Sequence, residues 1–512
     1  MGSIVSRATG LVRTVVVLGV LTDQTGLADA YAVANNMPNI IYELMLGGVL
    51  TSALVPLFVE RLDRHDAESV STVLSVAVVS LSALTVAGLL AAPAIAALLT
   101  SQPDKAAAMT ILLRWFIPQV LFYGLISLMT AVLHARGAFA AVAFAPVVNN
   151  LVVVAVFVAL PSLSDVNLAN PGALEQALTD GRTLWVLGLG TTLGVAANAG
   201  VLWPALKHLR MGRKRLRLRF RPSFRHPLVR RLLSASGNTV GFAAATQAAA
   251  VVELRIADRA GTGVATAYLA GYTLMMVPYG LFAASIMTTA IPELARLAQA
   301  GQRARLRRAW LLGLRMVGLV MLPAAGLTFV LGEWAVASLP VPDGRVELTG
   351  RALAALGPSM AALAVYAWCL RLFYAEGDSR TPFVLNVIVN TINMAAAVLL
   401  GVGFDLGLVG LGIANAIAYG AGALMSFSLA ARRLGGLPVG SVRPLVGMIT
   451  AGVVAATAAA AAAALLTWNG AEPAAALVLA PSVIVGGLVY LWGVYAFGAG
   501  PALRRVRAVL GR

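Results

Sequence analysis

The feature that most limits how this chain can fold is a recurring apolar run. From one end to the other, stretches close to the ~20 residues that an α-helix needs to cross a bilayer return again and again. Val70–Ala97, Leu151–Leu160 with its flanks, Leu311–Leu331, Met448–Leu466 and Ala474–Phe497 are examples. Backbone groups in hydrocarbon must be satisfied within their own segment, which leaves helices or closed barrels. A barrel would show ten-residue segments of alternating polarity, and the sequence has none. Only 12% of the 512 residues are charged, against roughly 25% in soluble domains, and the mean hydropathy is +0.85. The expected fold is therefore an all-α polytopic membrane protein with about fourteen transmembrane helices.

A net charge of +17 could point to nucleic acid, but its distribution points elsewhere. Basic residues gather in alternate loops: Arg61 and Arg64, Lys207–Arg231, Arg303–Arg308, Arg432 to Arg443, and Arg504 to Arg512. The loops between them lean acidic, with Asp23 and Asp29, Asp104, Asp165 to Asp180, Asp258, Glu333 to Glu347, Asp405 and Glu472. By the positive-inside rule this places a multi-pass chain in the cytoplasmic membrane with both termini in the cytoplasm. The stretch Lys207–Arg231 contains no acidic residue and only Phe220 and Phe224 as aromatics. That is too few rings for a nucleic-acid stacking platform, and the stretch reads as a cytoplasmic loop that attracts anionic lipid headgroups. MGSIVS fits a myristoylation pattern, but a chain this apolar needs no lipid anchor. Basic residues inside the first apolar stretch argue against a signal peptide. The first span is short on its cytoplasmic side, as if the chain began upstream of Met1. The lone Cys369 rules out disulfides and cysteine metal clusters.

The chain also repeats itself. Pro56 and Pro292 are 236 residues apart, as are Pro146 and Pro382; Pro118 and Pro358 are 240 apart, as are Gly137 and Gly377. Around them GGVLTSALVPLFVERL resembles AASIMTTAIPELARL, LHARG resembles FYAEG, and FAPVVNN resembles RTPFVLN. Six spans precede the basic linker, so the second copy enters from the same side and the repeats are parallel. The expected organisation is an N-lobe over 1–206, a basic cytoplasmic linker over 207–231, a C-lobe over 232–434, and two extra spans with a basic tail over 435–512.

No enzyme constellation is present. The four histidines (His65, His134, His208, His226) are scattered, no metal or nucleophile motif occurs, and GLGTTLG lies within an apolar span, where small residues serve helix packing. The chain is read as a non-enzyme without a cofactor. What stands out is polar chemistry inside the spans. In SRATGLVR, Arg7 and Arg13 lie about 9 Å apart along a helix and about 120° apart around it, with Gly10 between them. Asp29 opens the second span, and Pro38 interrupts the helix beside Asn39, freeing backbone groups for a ligand. Arg114, Arg255, Arg315 and Arg371 lie in or at the edge of apolar segments, where an ionisable residue either snorkels or marks a transport path. Asn386, Asn390 and Asn393 suit interhelical hydrogen bonding, with an ion site as the sharper alternative. Cationic side chains between two bundles suit phosphate oxygens, which arginine binds bidentately. These residues point to a transporter or flippase for an anionic amphiphile.

SRATGLVR, DAYAVANNMPN (Asp29–Asn39), LTSALVP, FAPVVNN, FYAEGDSRTP and VPYGLFAASIMTTAIPELA occur in the order found in the MurJ (MviN) lipid II flippases. The chain resembles that family, part of the multidrug/oligosaccharidyl-lipid/polysaccharide exporter superfamily, over nearly its whole length. The resemblance implies two six-helix lobes, with two final helices forming a groove for a polyprenyl tail. It also implies a cargo of undecaprenyl-pyrophosphate-linked peptidoglycan precursor, moved to the outer leaflet by alternating access and driven by Na+ or the membrane potential. Arg7 and Arg13 match the family's cavity arginines, and Asp29 matches a cavity acid. Cell-wall synthesis and division proteins are the implied partners. The chain departs from the pattern in four places. Tyr42 and Glu43 stand where many members have arginines; Leu46, Gly47 and Gly48 replace an A-E-G triplet; Thr273 replaces an arginine; and Leu232–Leu254 lacks the aspartate of a sodium site. Arg255 or Arg371 would have to compensate. Competing readings are a flippase or antiporter for another lipid-linked glycan or a drug, and a non-transporting cell-wall scaffold. The two unpaired last spans weigh against the drug antiporter.

Overall fold

The computed structural model describes residues 2–496 apart from 22–25, 43–54, 65, 169, 171, 209, 212–213, 216–218, 236, 342, 439, 442 and 469–473. Glu43, Leu46, Gly47, Gly48, Glu472 and the arginines at 504–512 lie outside the described residues. The chain forms two compact units, 1–266 and 267–512.

The first unit opens with α1 (Gly2–Val20), α2 (Leu27–Tyr42), α3 (Val55–Asp63) and α4 (Ala67–Leu99). It continues through α5 (Pro103–Phe116), α6 (Gln119–Ala135), α7 (Phe139–Leu163), α8 (Ala173–Asp180) and α9 (Arg182–Lys207). A two-residue hairpin pairs β1 (Arg210–Met211) with β2 (Lys214–Arg215). Then come α10 (Pro227–Ala235), α11 (Gly237–Ala260) and the start of α12 (Val264–Pro278). The second unit continues with a π-helical turn over Tyr279–Ala283, α13 (Ala284–Gln299), α14 (Arg303–Ala337) and α15 (Asp343–Ala375). It closes with α16 (Arg380–Ala397), a second π turn over Val398–Gly403, α17 (Gly407–Arg433), α18 (Arg443–Thr467) and α19 (Ala475–Val494).

Twelve of the described helical segments are long and apolar enough to cross a membrane, and α1 adds a shorter apolar stretch over Ala8–Val20; the fourteen expected would need α1 and the 16-residue α2 to cross as well. Local chemistry fixes their limits. Asp66 caps α4, its carboxylate accepting from the Ser69 N–H at 3.0 Å. Pro103 starts α5, where a missing N–H costs nothing, and Pro118 separates α5 from α6. The repeat is visible in the turns: Gly137 after α6 and Gly377 after α15 both take positive φ, +69° and +80°. Such a conformation disfavours a side chain at either site.

Each unit has its own core. In the first, Leu81, Phe58, Leu133 and Leu202 pack together, and α10 adds Leu228 and Val229. In the second, the buried Trp368 of α15 donates to the Trp310 carbonyl of α14 at 3.1 Å. Its ring fills the space over Gly313, where a Cβ would come within 2.1 Å of it. The last two helices pack on each other and on α14 through Met448, Ala451, Ala455, Leu331 and Tyr490. Their outward side chains Leu465, Leu477, Leu488 and Trp492 are exposed, as lipid-facing residues would be.

Candidate functional site

SRATGLVR divides its work around α1. Asn150 of α7 donates its amide to the Ser6 carbonyl at 3.3 Å and to the Thr9 hydroxyl at 3.1 Å. Gly10 faces the same amide, with room for little more than a Cβ. One side of the motif therefore fastens α1 to the FAPVVNN helix. On another side the half-buried Arg13 lies beside the Tyr31 hydroxyl of α2, and its charge also acts on Tyr123 of α6. The Arg7 side chain lies outside the described residues.

Tyr31 is held on all sides. Its ring meets Phe116 and Phe157 edge-on at 5.6 and 5.2 Å, and its hydroxyl pairs with Thr191 at 2.9 Å. Next to it Tyr123 donates to Gln119 at 3.3 Å, Gln119 donates to Thr192 at 2.9 Å, and Thr192 donates to the Trp115 carbonyl at 2.8 Å. Both threonines come from GLGTTLG, whose glycines pack closely: a Cβ at Gly190 would lie 2.5 Å from Val156. Close helix packing brings the polar atoms of α2, α5, α6 and α9 into one network. Arg13 thus lies beside side chains whose own positions are fixed by this packing.

A second polar cluster lies where α2 and α12 begin, α5 begins and α11 ends, next to the acid-leaning loops. Lys105, only 1% exposed, donates to Asp29 at 3.0 Å and to Asp258 at 2.6 Å. Asp29, 0% exposed, also accepts from the Gly263 N–H at 2.8 Å and from the Thr266 N–H and hydroxyl at 2.9 and 2.7 Å. Its carboxylate thus caps the first turn of α12, where the helix dipole favours negative charge. Arg255 stands 3.7 Å from Asp258 on the same helix, so two carboxylates face two cations and the buried group is close to neutral.

The structure thus joins Asp29 and Arg255 through Asp258 and Lys105. Asp29 is fully enclosed and its oxygens are occupied by Lys105, Gly263 and Thr266, which makes it the hub of a buried ion-paired group. Lys105 was missing from the sequence-based set. The available signal was its residue type: the chain has three lysines, and the other two lie in the basic stretch 207–231. Asn39 is exposed near the end of α2. Tyr42 pairs with the Ser127 hydroxyl and packs on Tyr123 at 5.9 Å, so its position serves packing within the first unit. Thr273 turns its hydroxyl back to the Leu269 carbonyl at 2.8 Å.

In the second unit, the half-buried Arg371 acts on Tyr279, in the π turn, and on Tyr374. Asn386, Asn390 and Asn393 are all buried. The Asn390 amide donates to both the backbone carbonyl and the side chain of Asn386 at 2.9 Å, with Tyr366 of α15 beside Asn386. No group of three or more His, Cys, Asp or Glu able to hold a metal occurs among the described residues.

A family model described as lipid II flippase MurJ matches residues 23–483. A probable lipid II flippase MurJ of Rhizobium meliloti (strain 1021) is 25% identical over 97% of this chain and 92% of its own. The lipid II flippase MurJ of Burkholderia cenocepacia is 27% identical over 74% of this chain and 72% of its own. Among solved structures, a lipid II flippase MurJ in an inward closed conformation superposes with a TM-score of 0.74 at 17% identity, covering 97% of each chain. An inward-facing multidrug resistance MATE transporter of the MOP superfamily gives 0.66 at 15% identity, over 85% of this chain and 95% of that one. These two likenesses concern the fold. With the family match spanning most of its length, the chain belongs to the lipid II flippase MurJ family.

Proposed function

We propose that this chain moves lipid II, the undecaprenyl-pyrophosphate-linked peptidoglycan precursor, from the cytoplasmic to the outer leaflet by alternating access. The observation that carries this reading is Arg13, a half-buried cation inside an apolar helix, oriented by Tyr31 and near Tyr123. A guanidinium fixed at such a place suits pyrophosphate oxygens. Both termini are cytoplasmic in this reading, and Lys207–Arg231 lies against anionic headgroups of the inner leaflet. Proteins of cell-wall synthesis and division are the natural partners of this step.

The membrane potential drives turnover in this proposal. An inside-negative potential pushes an anionic headgroup outward with ~2.3 kcal/mol per charge per 100 mV. A sodium site on α16 is the weaker alternative, since the Asn386 side-chain and backbone oxygens already accept from the Asn390 amide. Collapsing the potential should stop flipping, whereas replacing sodium by potassium should leave it unchanged.

Cells depleted of their own flippase provide the test. The wild-type chain should restore growth and externally accessible lipid II. Loss of one charge-assisted contact of ~1.5–3 kcal/mol should lower transport by Arg13→Ala roughly ten- to a hundredfold. Full rescue by Arg13→Glu would refute the role of Arg13. Binding to cell-wall enzymes without any rescue by the wild-type chain would instead favour the scaffold reading.

A further inference from the structure

The linker that follows α9 does more than carry charge. Its extended stretch Arg219–Arg221 is laid along α4, using two serines one helical turn apart. The Arg219 N–H donates to the Ser71 hydroxyl at 3.2 Å, and the Arg221 N–H donates to the Ser75 hydroxyl at 2.8 Å. The Arg221 guanidinium pairs with Glu68. Farther along, α10 sinks Leu228 and Val229 into the core of the first unit. Ordered chain pinned this way on a membrane helix forms one wall of a cavity.

That cavity, of about 450 Å3, lies between α4, α6 and α9, within the ~300–1,000 Å3 range of small-molecule pockets, and is half-open. Leu74, Phe122, Leu125 and Met129 line its interior, while Trp203, Arg219 and Phe220 stand at the linker end. Trp203 and Phe220 are exposed, and Lys207 sits over the Trp203 ring at 5.8 Å. An apolar interior thus runs up to an aromatic and cationic rim, the polarity sequence of acyl chain, interface and phosphate.

We infer that this cavity is a binding site for one anionic phospholipid of the leaflet that faces the linker. One acyl chain fills the space between α4, α6 and α9. Its phosphate is held at the rim by Arg219, with Lys207 on the neighbouring turn. Charge complementarity selects the occupant: the linker has eleven basic residues with its histidines excluded and no carboxylate between Lys207 and Arg231, so a zwitterionic or cationic headgroup gains less there. The bound lipid would brace the linker against α4. The inference rests on the reading of the linker as a membrane-facing surface and sharpens it to a single seat.

The test is lipid retention by the full-length purified protein, read by native mass spectrometry after exchange into mixed phosphatidylglycerol and phosphatidylcholine. Wild type should keep one phosphatidylglycerol in preference to phosphatidylcholine. Gly200 lines the cavity, and a Cβ there meets nothing within 4 Å. Gly200→Phe should therefore fill the space without disturbing the fold and cut retention several-fold. Arg219→Glu should remove the preference for the anionic headgroup. Excess inorganic phosphate should not displace the lipid, because the acyl chain supplies much of the hold. Retention by Gly200→Phe equal to wild type would overturn the cavity site. Arg225→Ala combined with Arg230→Ala, outside the cavity, reports on the linker surface as a whole. If that pair abolishes retention while Gly200→Phe does not, the lipid sits on the linker surface alone. If no variant changes retention, both readings fall.

Discussion

At the scale of single residues, the buried ion-pair group is where one substitution should cost most. Lys105 pairs with two carboxylates that have almost no solvent contact, Asp29 at 0% and Asp258 at 4% exposure. Removing one partner of a buried pair leaves an uncompensated charge, typically worth ~3–5 kcal/mol. Lys105→Met should lower stability by about that much, seen as an earlier thermal unfolding transition in detergent. Adding Asp29→Asn should recover part of the loss, since the carboxylate whose ion pair was lost is then neutral, while Asp258 keeps Arg255. A Lys105→Met protein that melts with wild type would show that the pairs are not formed in solution. The sequence marks Asp29 and Arg255 as polar groups out of place in apolar segments. Their meeting was not legible, because Lys105 reaches its partners across 76 and 153 residues of chain. Nothing local distinguishes a lysine that will be buried from one beside a loop. Arg13 was more readable, since its depth in a helix follows from counting residues.

At the scale of elements, the turns that close each repeat use matched devices with opposite charge. Arg136, just before the left-handed Gly137, pairs with Asp63 at the end of α3 at 3.2 Å. Glu376, just before Gly377, pairs with Arg433 at the end of α17 at 2.9 Å. The pairing of LHARG with FYAEG thus marks a shared turn, although the ion pair itself was reversed. An alanine in the left-handed region costs ~1–2 kcal/mol, so Gly137→Ala and Gly377→Ala should destabilise to similar degrees in denaturation titrations.

Asp378 lies just beyond that second turn. It accepts from the Arg380 and Thr381 N–H groups at 3.0 Å and pairs with Arg433 at 2.8 Å. Burial pushes its carboxyl up, but the Thr381 N–H and hydroxyl, the Arg433 charge and the Arg380 N–H together hold it below the ordinary carboxylate value of 3.8. A folded value below the unfolded one means that its stabilisation is present above pH ~4. It is lost as pH falls through the lower folded value. Asp378→Asn should therefore weaken the protein at neutral pH and flatten its loss of stability as pH falls below about 4. Equal acid sensitivity in wild type and variant would rule out this cap as a contributor.

At the scale of the whole molecule, the span count and the doubled plan were readable because both depend on local quantities: length of apolar run, spacing of prolines, sign of loop charge. Small-residue packing such as Gly190 against Val156 was readable only as a general tendency, since the partner helix is chosen by the fold. Charge alternation also makes a claim about sidedness that can be tested directly. The single native cysteine, Cys369, is fully buried, so an impermeant maleimide should ignore it and introduced cysteines can be read against a silent background. Ser101 and Ala474 are exposed beside acid-leaning loops, and Ser223 and Arg305 are exposed in basic ones. In intact cells Ser101→Cys and Ala474→Cys should label at once, while Ser223→Cys and Arg305→Cys should label only after lysis. Parallel repeats require this agreement between the halves, because an even number of spans separates them. Labelling of Ser101→Cys and Arg305→Cys together from outside would break the parallel repeat, and labelling of all four in reverse would invert the chain. With the expected pattern, Arg13 enters from the cytoplasmic end of α1 and the Asp29–Lys105–Asp258 group closes the outer ends of α2, α5 and α11. The two polar clusters of the first unit would then lie at different depths along the path that an anionic headgroup has to travel.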